Sequence, residues 1–384
     1  MYIWGNENQE VMKRLVTLLF AAITLGSFAQ HTTHSFTWDG LSREYVKYVP
    51  ASYDGSTAVP VVFCLHGLGD NMNNFKNIGM NFVADTANFI VITPQAIVDP
   101  LVGSSAWNSG ASYLGYTLNG SVDDIGFFGA ILDTLIADYN IDETMVFSCG
   151  FSMGGFMTNR LGCEMNDRIA AIASVAGTIG GALTCTPGRA IPACHFHGTA
   201  DSTVYYEGNL YGSDAEDLAM FWATNNNCGG TPTVTALPDL MADGLTITHS
   251  LYSSCDDGAE VELYRVDSAE HVWLTPSNDI FYTTEIWKFF MKHSFEDVSV
   301  NETELVAFSI YPNPSNGIVQ LELNDVQNIT YTVIDLLGQE LVTRKVSALM
   351  ETVDLSEYPD GTYFIKVANT GNGTSNTKKV VLHQ

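Results

Sequence analysis

Short apolar runs alternate with amphipathic stretches along most of the chain. Val61–Leu65 (VVFCL), Phe89–Thr93 (FIVIT), Met145–Cys149 (MVFSC), Ile191–Phe196 and Val261–Val266 are rich in β-branched and aromatic residues. Runs of this length without a polar face suit strands buried on both sides of a parallel sheet. Between them lie helical patterns, the clearest from Val122 to Tyr139. There Ile125, Phe128, Leu132, Leu135 and Tyr139 recur at three- and four-residue steps, with Ser121 placed to cap the start. Strand–helix alternation around one core predicts an α/β class with a doubly wound, mostly parallel sheet over residues 30–298.

Near residue 300 the period changes. Asn301–Leu305 is polar, and period-two strands then replace helices at Ile318–Leu323, Thr330–Ile334, Gly361–Val367 and Lys378–Leu382. Pro312-Asn313-Pro314, Asn316-Gly317, Leu337-Gly338 and Pro359-Asp360-Gly361 supply turns between them. This predicts a small all-β sandwich over 302–384. At the other end, Lys13 and Arg14 precede an apolar run from Leu15 to Leu25, and small residues lead to Gln30. That order is expected of a cleaved secretory signal over 1–29, with a buried N-terminal helix as the competing reading. Met12, directly before the basic pair, offers an alternative true start. The run is about half of the roughly 20 residues that span a bilayer, and no later stretch comes nearer, so no transmembrane segment is expected in the mature protein.

Composition narrows the partners. The 384 residues carry 16 Lys and Arg against 43 Asp and Glu, a formal charge of −27. A chain this acidic is repelled by phosphate backbones, which excludes nucleic-acid binding, and anionic lipid surfaces are poor partners for the same reason. An apolar fraction of 46% speaks against disorder. His195 and His197 alternate on one strand face, yet no third ligand lies at useful spacing, so neither a metal nor another cofactor is expected.

The candidate chemistry centres on Gly150-Phe151-Ser152-Met153-Gly154-Gly155, which follows the Met145–Cys149 run and opens a helical stretch through Met157 and Leu161. A G-x-S-x-G between strand and helix resembles the nucleophile elbow of α/β-hydrolases. A side chain at Gly150 or Gly154 would collide with the neighbouring strand or helix, and the helix directs its N–H groups towards a developing oxyanion. His66-Gly67-Leu68-Gly69 ends the Val61–Leu65 strand, where such folds place the second oxyanion donor. The expected oxyanion hole is therefore the amides of Leu68 and Met153, with His66 fixing the loop. Asp201 is the first carboxylate after the Ile191–Phe196 strand, and His271 follows the Val261–Val266 strand. The order Ser152, Asp201, His271 is that of hydrolase triads on this fold.

Residues 45–295 resemble the secreted esterase family that groups polyhydroxybutyrate depolymerase-like proteins with feruloyl and acetyl-xylan esterases. Leu65-His66-Gly67, Val122-Asp123-Asp124-Ile125-Gly126-Phe127, the elbow, His197-Gly198-Thr199-Ala200-Asp201 and His271-x-Trp273 carry the resemblance. It implies Ser152 as nucleophile, His271 as base and Asp201 as its orienter, acting on a carboxylic ester without a cofactor. It also implies disulfides Cys163–Cys185 and Cys228–Cys255, leaving Cys64, Cys149 and Cys194 as buried thiols in strands expected to be neighbours. The sequence departs from the family at Ala269-Glu270, Leu274 and Tyr205, positions around the pocket. Trp107 and Trp273 are the candidates for lining an apolar cleft, with core packing as the competing reading. Feruloyl or acetyl esters of plant polysaccharide, polyhydroxyalkanoates and cutinase-like polyester hydrolysis stay open as substrates. A serine peptidase and a catalytically inactive surface-binding protein are the competing functions.

The tail resembles the C-terminal sorting domain of the type IX secretion pathway of Bacteroidetes. The match rests on Tyr311-Pro312-Asn313-Pro314 with Gly317, Asp335-Gly338-Gln339, Leu355 with Gly361-Thr362-Tyr363-Phe364, and Lys378-Lys379-Val380. It implies the type IX machinery as a partner and a secreted or surface-attached product exported through the periplasm.

Overall fold

The computed structural model describes residues 30–113, 115–293, 306–335, 339–371 and 374–383. The expected signal over 1–29, the polar stretch Asn301–Leu305 and the Leu337-Gly338 turn lie outside these residues. The chain divides into two units between Asp297 and Val298.

The first unit opens with a hairpin, β1 (Gln30–Trp38) and β2 (Leu41–Val49). Its two turn residues, Asp39 and Gly40, have φ of 47° and 74°, a left-handed pair whose twist matches the flanking strands. There follow β3 (Val59–Leu65), α1 (Met72–Phe75), α2 (Met80–Ala87), β4 (Ile90–Pro94) and a two-residue pair, β5 (Ser112–Tyr113) with β6 (Tyr116–Thr117). Next come α3 (Asp124–Asp138), β7 (Ile141–Phe151), α4 (Met153–Glu164), β8 (Ala171–Val175), β9 (Ala193–Gly198) and α5 (Ala215–Asn225). The unit closes with β10 (Thr233–Ala236), β11 (Thr246–Tyr252), β12 (Val261–Asp267) and α6 (Tyr282–Phe290). Ten strands make one sheet in the order β1-β2-β4-β3-β7-β8-β9-β12-β11-β10. The six strands from β4 to β12 in that order run parallel, and the two pairs at the edges run antiparallel.

The apolar runs are strands because both faces of the sheet are covered. Val61, Phe63 and Leu65 pack with Phe128, Leu132, Met157 and Trp222 on one side. Val62, Cys64, Phe147 and Cys149 pack with Phe289 and Phe290 on the other. Full burial of each such side chain contributes about 1.5–3 kcal/mol.

Three details differ from the sequence reading. The cap of α3 is Asp123, whose carboxylate accepts from the Gly126 amide at 2.9 Å, rather than Ser121; an anion at this end also suits the helix dipole. The strand β8 (AIASV) is too rich in alanine to stand out by β-propensity, yet all five of its residues are buried. Because β8 lies between β7 and β9, only Cys64 and Cys149 occupy neighbouring strands; their register pairs them, with Cys194 two strands beyond Cys149. All three are buried free thiols. Disulfides join Cys163 to Cys185 and Cys228 to Cys255.

The second unit holds β13 (Phe308–Tyr311), β14 (Ile318–Leu323), β15 (Ile329–Ile334), β16 (Glu340–Lys345), β17 (Met350–Asp354), β18 (Gly361–Asn369) and β19 (Ser375–Leu382). They form a three-stranded sheet, β13-β14-β17, and a four-stranded sheet, β16-β15-β18-β19, antiparallel throughout. Alternate residues such as Val319, Leu321, Val333, Ile365 and Val380 fill one core, the burial that a period-two pattern requires.

Candidate active site

Ser152 stands between β7 and α4 with φ 54° and ψ −121°. An L-residue adopts this region only where its surroundings impose it. Two close approaches impose it here. A Cβ on Gly150 would run into the Gly154 carbonyl, and one on Gly154 would run into the Leu65 carbonyl at the end of β3. Strand, helix and turn therefore meet backbone to backbone. The Ser152 amide donates to Val175 O at 2.8 Å, which ties the turn to β8.

Asp201 lies three residues past β9 and is almost fully buried. Its Oδ1 accepts from the amides of Thr203 (2.8 Å) and Val204 (2.9 Å). Its Oδ2 accepts from His271 Nδ1 at 2.6 Å, with His197 Nε2 3.5 Å away. Burial alone would push this carboxyl up, but the His197 and His271 donors and the Thr203 amide outweigh it and hold Asp201 well below the usual carboxylate range. The loop carrying His271 is pinned to the loop carrying Asp201. Ser268 N donates to Thr199 Oγ1 at 3.0 Å and Ala200 N to Ala269 O at 2.9 Å. The imidazole also lies 4.7 Å from the ring of Phe151, the residue before Ser152.

Chain segments 70 residues apart in sequence are thus joined at one rim of the sheet. The Ser152 hydroxyl and the imidazole share no hydrogen bond in this arrangement, a looseness common before substrate completes the contact. Among the described residues neither the Leu68 nor the Met153 amide has a hydrogen-bond partner, so both donors are available. His66 braces the loop that carries Leu68: its Nδ1 donates to Gly67 O at 2.8 Å, and its Nε2 accepts from the Ala96 amide at 3.1 Å.

A pocket of about 570 Å³ opens beside Ser152. Leu68, Met153, Phe156, Tyr205, Leu210 and Tyr211 are among its walls, and no lining side chain is charged. The tryptophans proposed for the cleft lie elsewhere. Trp107 is fully buried, with its indole N–H on His66 O at 2.9 Å. Trp273 packs among Phe75, Phe151 and Tyr282 and donates to Thr283 Oγ1. Neither is among the residues that line this pocket. Seven of the fifteen residues that form the wall come from the loop 202–211, which has no periodicity to mark it in the sequence. Among the described residues no group of three metal-ligating side chains converges.

Residues 52–211 match the phospholipase/carboxylesterase family model, and 309–383 match the secretion system C-terminal sorting domain model. The first unit is thus similar to this carboxylesterase family over residues 52–211. The chain's tail marks it as a type IX export product, destined for the cell surface or the medium. It is 24% identical over 244 residues to feruloyl esterase B of Piromyces equi, covering 60% of this chain and 42% of that protein. It is 27% identical over 269 residues to feruloyl esterase D of Neurospora crassa, covering 66% of this chain and 83% of that protein. The chain spans under half the length of the Piromyces protein and 23% of a bifunctional acetylxylan esterase/xylanase from Neocallimastix patriciarum. The solved acetyl xylan esterase of Aspergillus awamori shares the fold, with a TM-score of 0.50 at 14% identity, over 68% of this chain and 99% of that one. No helix among the described residues is long and apolar enough to cross a membrane.

Proposed function

We propose that this chain is an exported serine carboxylesterase that hydrolyses esters through an acyl-enzyme, with Ser152, His271 and Asp201 as its triad. The observation that carries the reading is the 2.6 Å bond from His271 Nδ1 to a carboxylate held anionic, beside a serine in a strained elbow. Nδ1–H bonded to Asp201 leaves Nε2 as a lone pair, the form a general base requires. Ser152 Oγ attacks the ester carbonyl as its proton passes to Nε2, and the amides of Leu68 and Met153 receive the oxyanion. The imidazolium gives the proton to the departing alcohol. Water then repeats the sequence and releases the acid.

The acyl group is proposed to be aromatic, of the feruloyl type carried on plant polysaccharide. The uncharged pocket with its two tyrosines supports this, as do the relatives named feruloyl esterases. The sorting tail is proposed to engage the type IX machinery. Methyl ferulate, p-nitrophenyl acetate, acetyl-xylan and hydroxybutyrate oligomers, assayed with wild type and Ser152→Ala, test both levels. Methyl ferulate should give the highest kcat/KM, and Ser152→Ala should lower kcat by about 10⁵–10⁶. Retained activity in Ser152→Ala would refute the triad; preference for the oligomer would refute the acyl assignment.

A further inference from the structure

Behind Asp201 lies a row of buried polar groups that the acyl-transfer scheme does not use. His195 and His197 on β9 are 3% and 1% exposed, and Ser174 on the neighbouring β8 is 2% exposed. Ser174 Oγ is 2.7 Å from His195 Nδ1, and His195 Nε2 is 3.0 Å from His197 Nδ1. His197 Nε2 is 2.7 Å from Val204 O and 3.5 Å from Asp201 Oδ2.

One assignment of protons gives each of these contacts a donor and an acceptor. A carbonyl oxygen only accepts, so His197 Nε2 carries hydrogen. With that hydrogen on Nε2, the 3.0 Å contact between the rings is made when Nδ1 of His197 accepts from His195 Nε2–H. His195 Nδ1 becomes the acceptor for the Ser174 hydroxyl. Burial holds His195 well below the ordinary histidine value, so it stays neutral. Every member of the row donates in one direction, towards the Asp201 turn, and hydrogen bonds so aligned polarise one another.

We propose that Ser174, His195 and His197 act as a tautomer lock that positions Asp201 against His271. The inference rests on the triad reading and adds residues that touch neither substrate nor Ser152. The turn is held from two sides. The amides of Thr203 and Val204 grip Asp201 Oδ1, while His197 grips the carbonyl of the same Val204 and turns its N–H towards Oδ2. With the opposite tautomer, a nitrogen lone pair would face both the carbonyl and the carboxylate, and the turn would have to move. Ser174 and His195 are positioning residues whose role is to forbid that state.

His195→Phe keeps the ring volume and removes both nitrogens, whereas His195→Gln keeps an N–H near the Nε2 position. On p-nitrophenyl acetate, His195→Phe should lose about tenfold or more in kcat with KM within about twofold, and His195→Gln should stay within about threefold of wild type. Ser174→Ala, which removes one hydroxyl and threatens the fold least, should lower kcat by about threefold. Nitrogen-15 spectra of the imidazoles in the full-length wild type should show protonated Nε2 and bare Nδ1 on both rings. Equal kcat in the Phe and Gln variants, or His197 found as imidazolium or as the Nδ1–H tautomer, overturns the lock. If those results accompany an inactive Ser152→Ala, the triad stands without it. Activity surviving in Ser152→Ala overturns the triad, and with it the catalytic purpose of the lock.

Discussion

Ser152 illustrates how much is asked of one residue. Its φ of 54° stores strain of about 1–3 kcal/mol, which the surrounding packing must outweigh. The return is a serine on the pocket wall with a helix N-terminus beside it. Asp201 carries the complementary demand, a carboxylate kept charged in a nearly closed site by backbone amides and imidazole N–H groups. Asp201→Asn would keep the shape but offer an amide that favours the wrong His271 tautomer. Its kcat should fall by about 10⁴ while the fold persists, as checked by kinetics beside a urea midpoint; a loss under tenfold would show that the carboxylate charge is not needed. Ser152 was legible because a strained turn needs glycines at fixed offsets. Asp201 and His271 were legible because each follows a strand end. Trp107 was misplaced because an indole looks the same in sequence whether it lines a cleft or donates to a buried carbonyl.

At the scale of elements, the site depends on how closely β3, β7 and α4 approach. Gly154 sits where α4 crosses the end of β3, and no side chain fits before the Leu65 carbonyl. Gly154→Ala should therefore destabilise the first unit by about 1–3 kcal/mol. It should also lower kcat, since the helix end that carries the Met153 amide must shift. Urea midpoints and p-nitrophenyl acetate kinetics measure both, and an unchanged midpoint would mean the crossing is looser than described. Strands with strong β-branched runs were readable here. β8 was not, because a strand of mostly small residues is defined by the helix packed on it rather than by its own preference. The cap of α3 moved from Ser121 to Asp123 for a similar reason: several polar residues precede the helix, and only the actual turn brings one carboxylate to the Gly126 amide.

Over the whole molecule, charge and buried histidines set the response to acid. Burial pushes His293 down to about 4, with Lys292 adding to the effect, and lowers His66 and His195 as well. Their unfolded counterparts titrate near about 6.5, so from there downwards the unfolded chain binds protons that the native one refuses. Stability should thus be full above about pH 6.5 and fall as pH drops towards 4, by up to about 1.4 kcal/mol per unit for each such histidine. The Asp201 carboxyl, also depressed, adds a loss at still lower pH. The −27 charge acts in the opposite sense, since acid relieves repulsion among carboxylates. Exposed carboxylates titrate near about 4, so between pH 6.5 and 5 the histidines decide. Urea midpoints at pH 7 and pH 5 should differ in that direction, and equal midpoints would contradict it.

The sequence by itself determined the class of each unit, because hydrophobic period is a local property that survives without knowledge of partners. It also determined the candidate triad, because an elbow and two strand ends leave few positions for three chemical roles. The pocket wall, the place of the tryptophans and the histidine row behind Asp201 were decided only in three dimensions. Those features depend on which loops and strands come to lie side by side. His195 and His197 show only their alternation in the chain, and Ser174 shows nothing, until β8 and β9 pair and the 201–204 turn joins them.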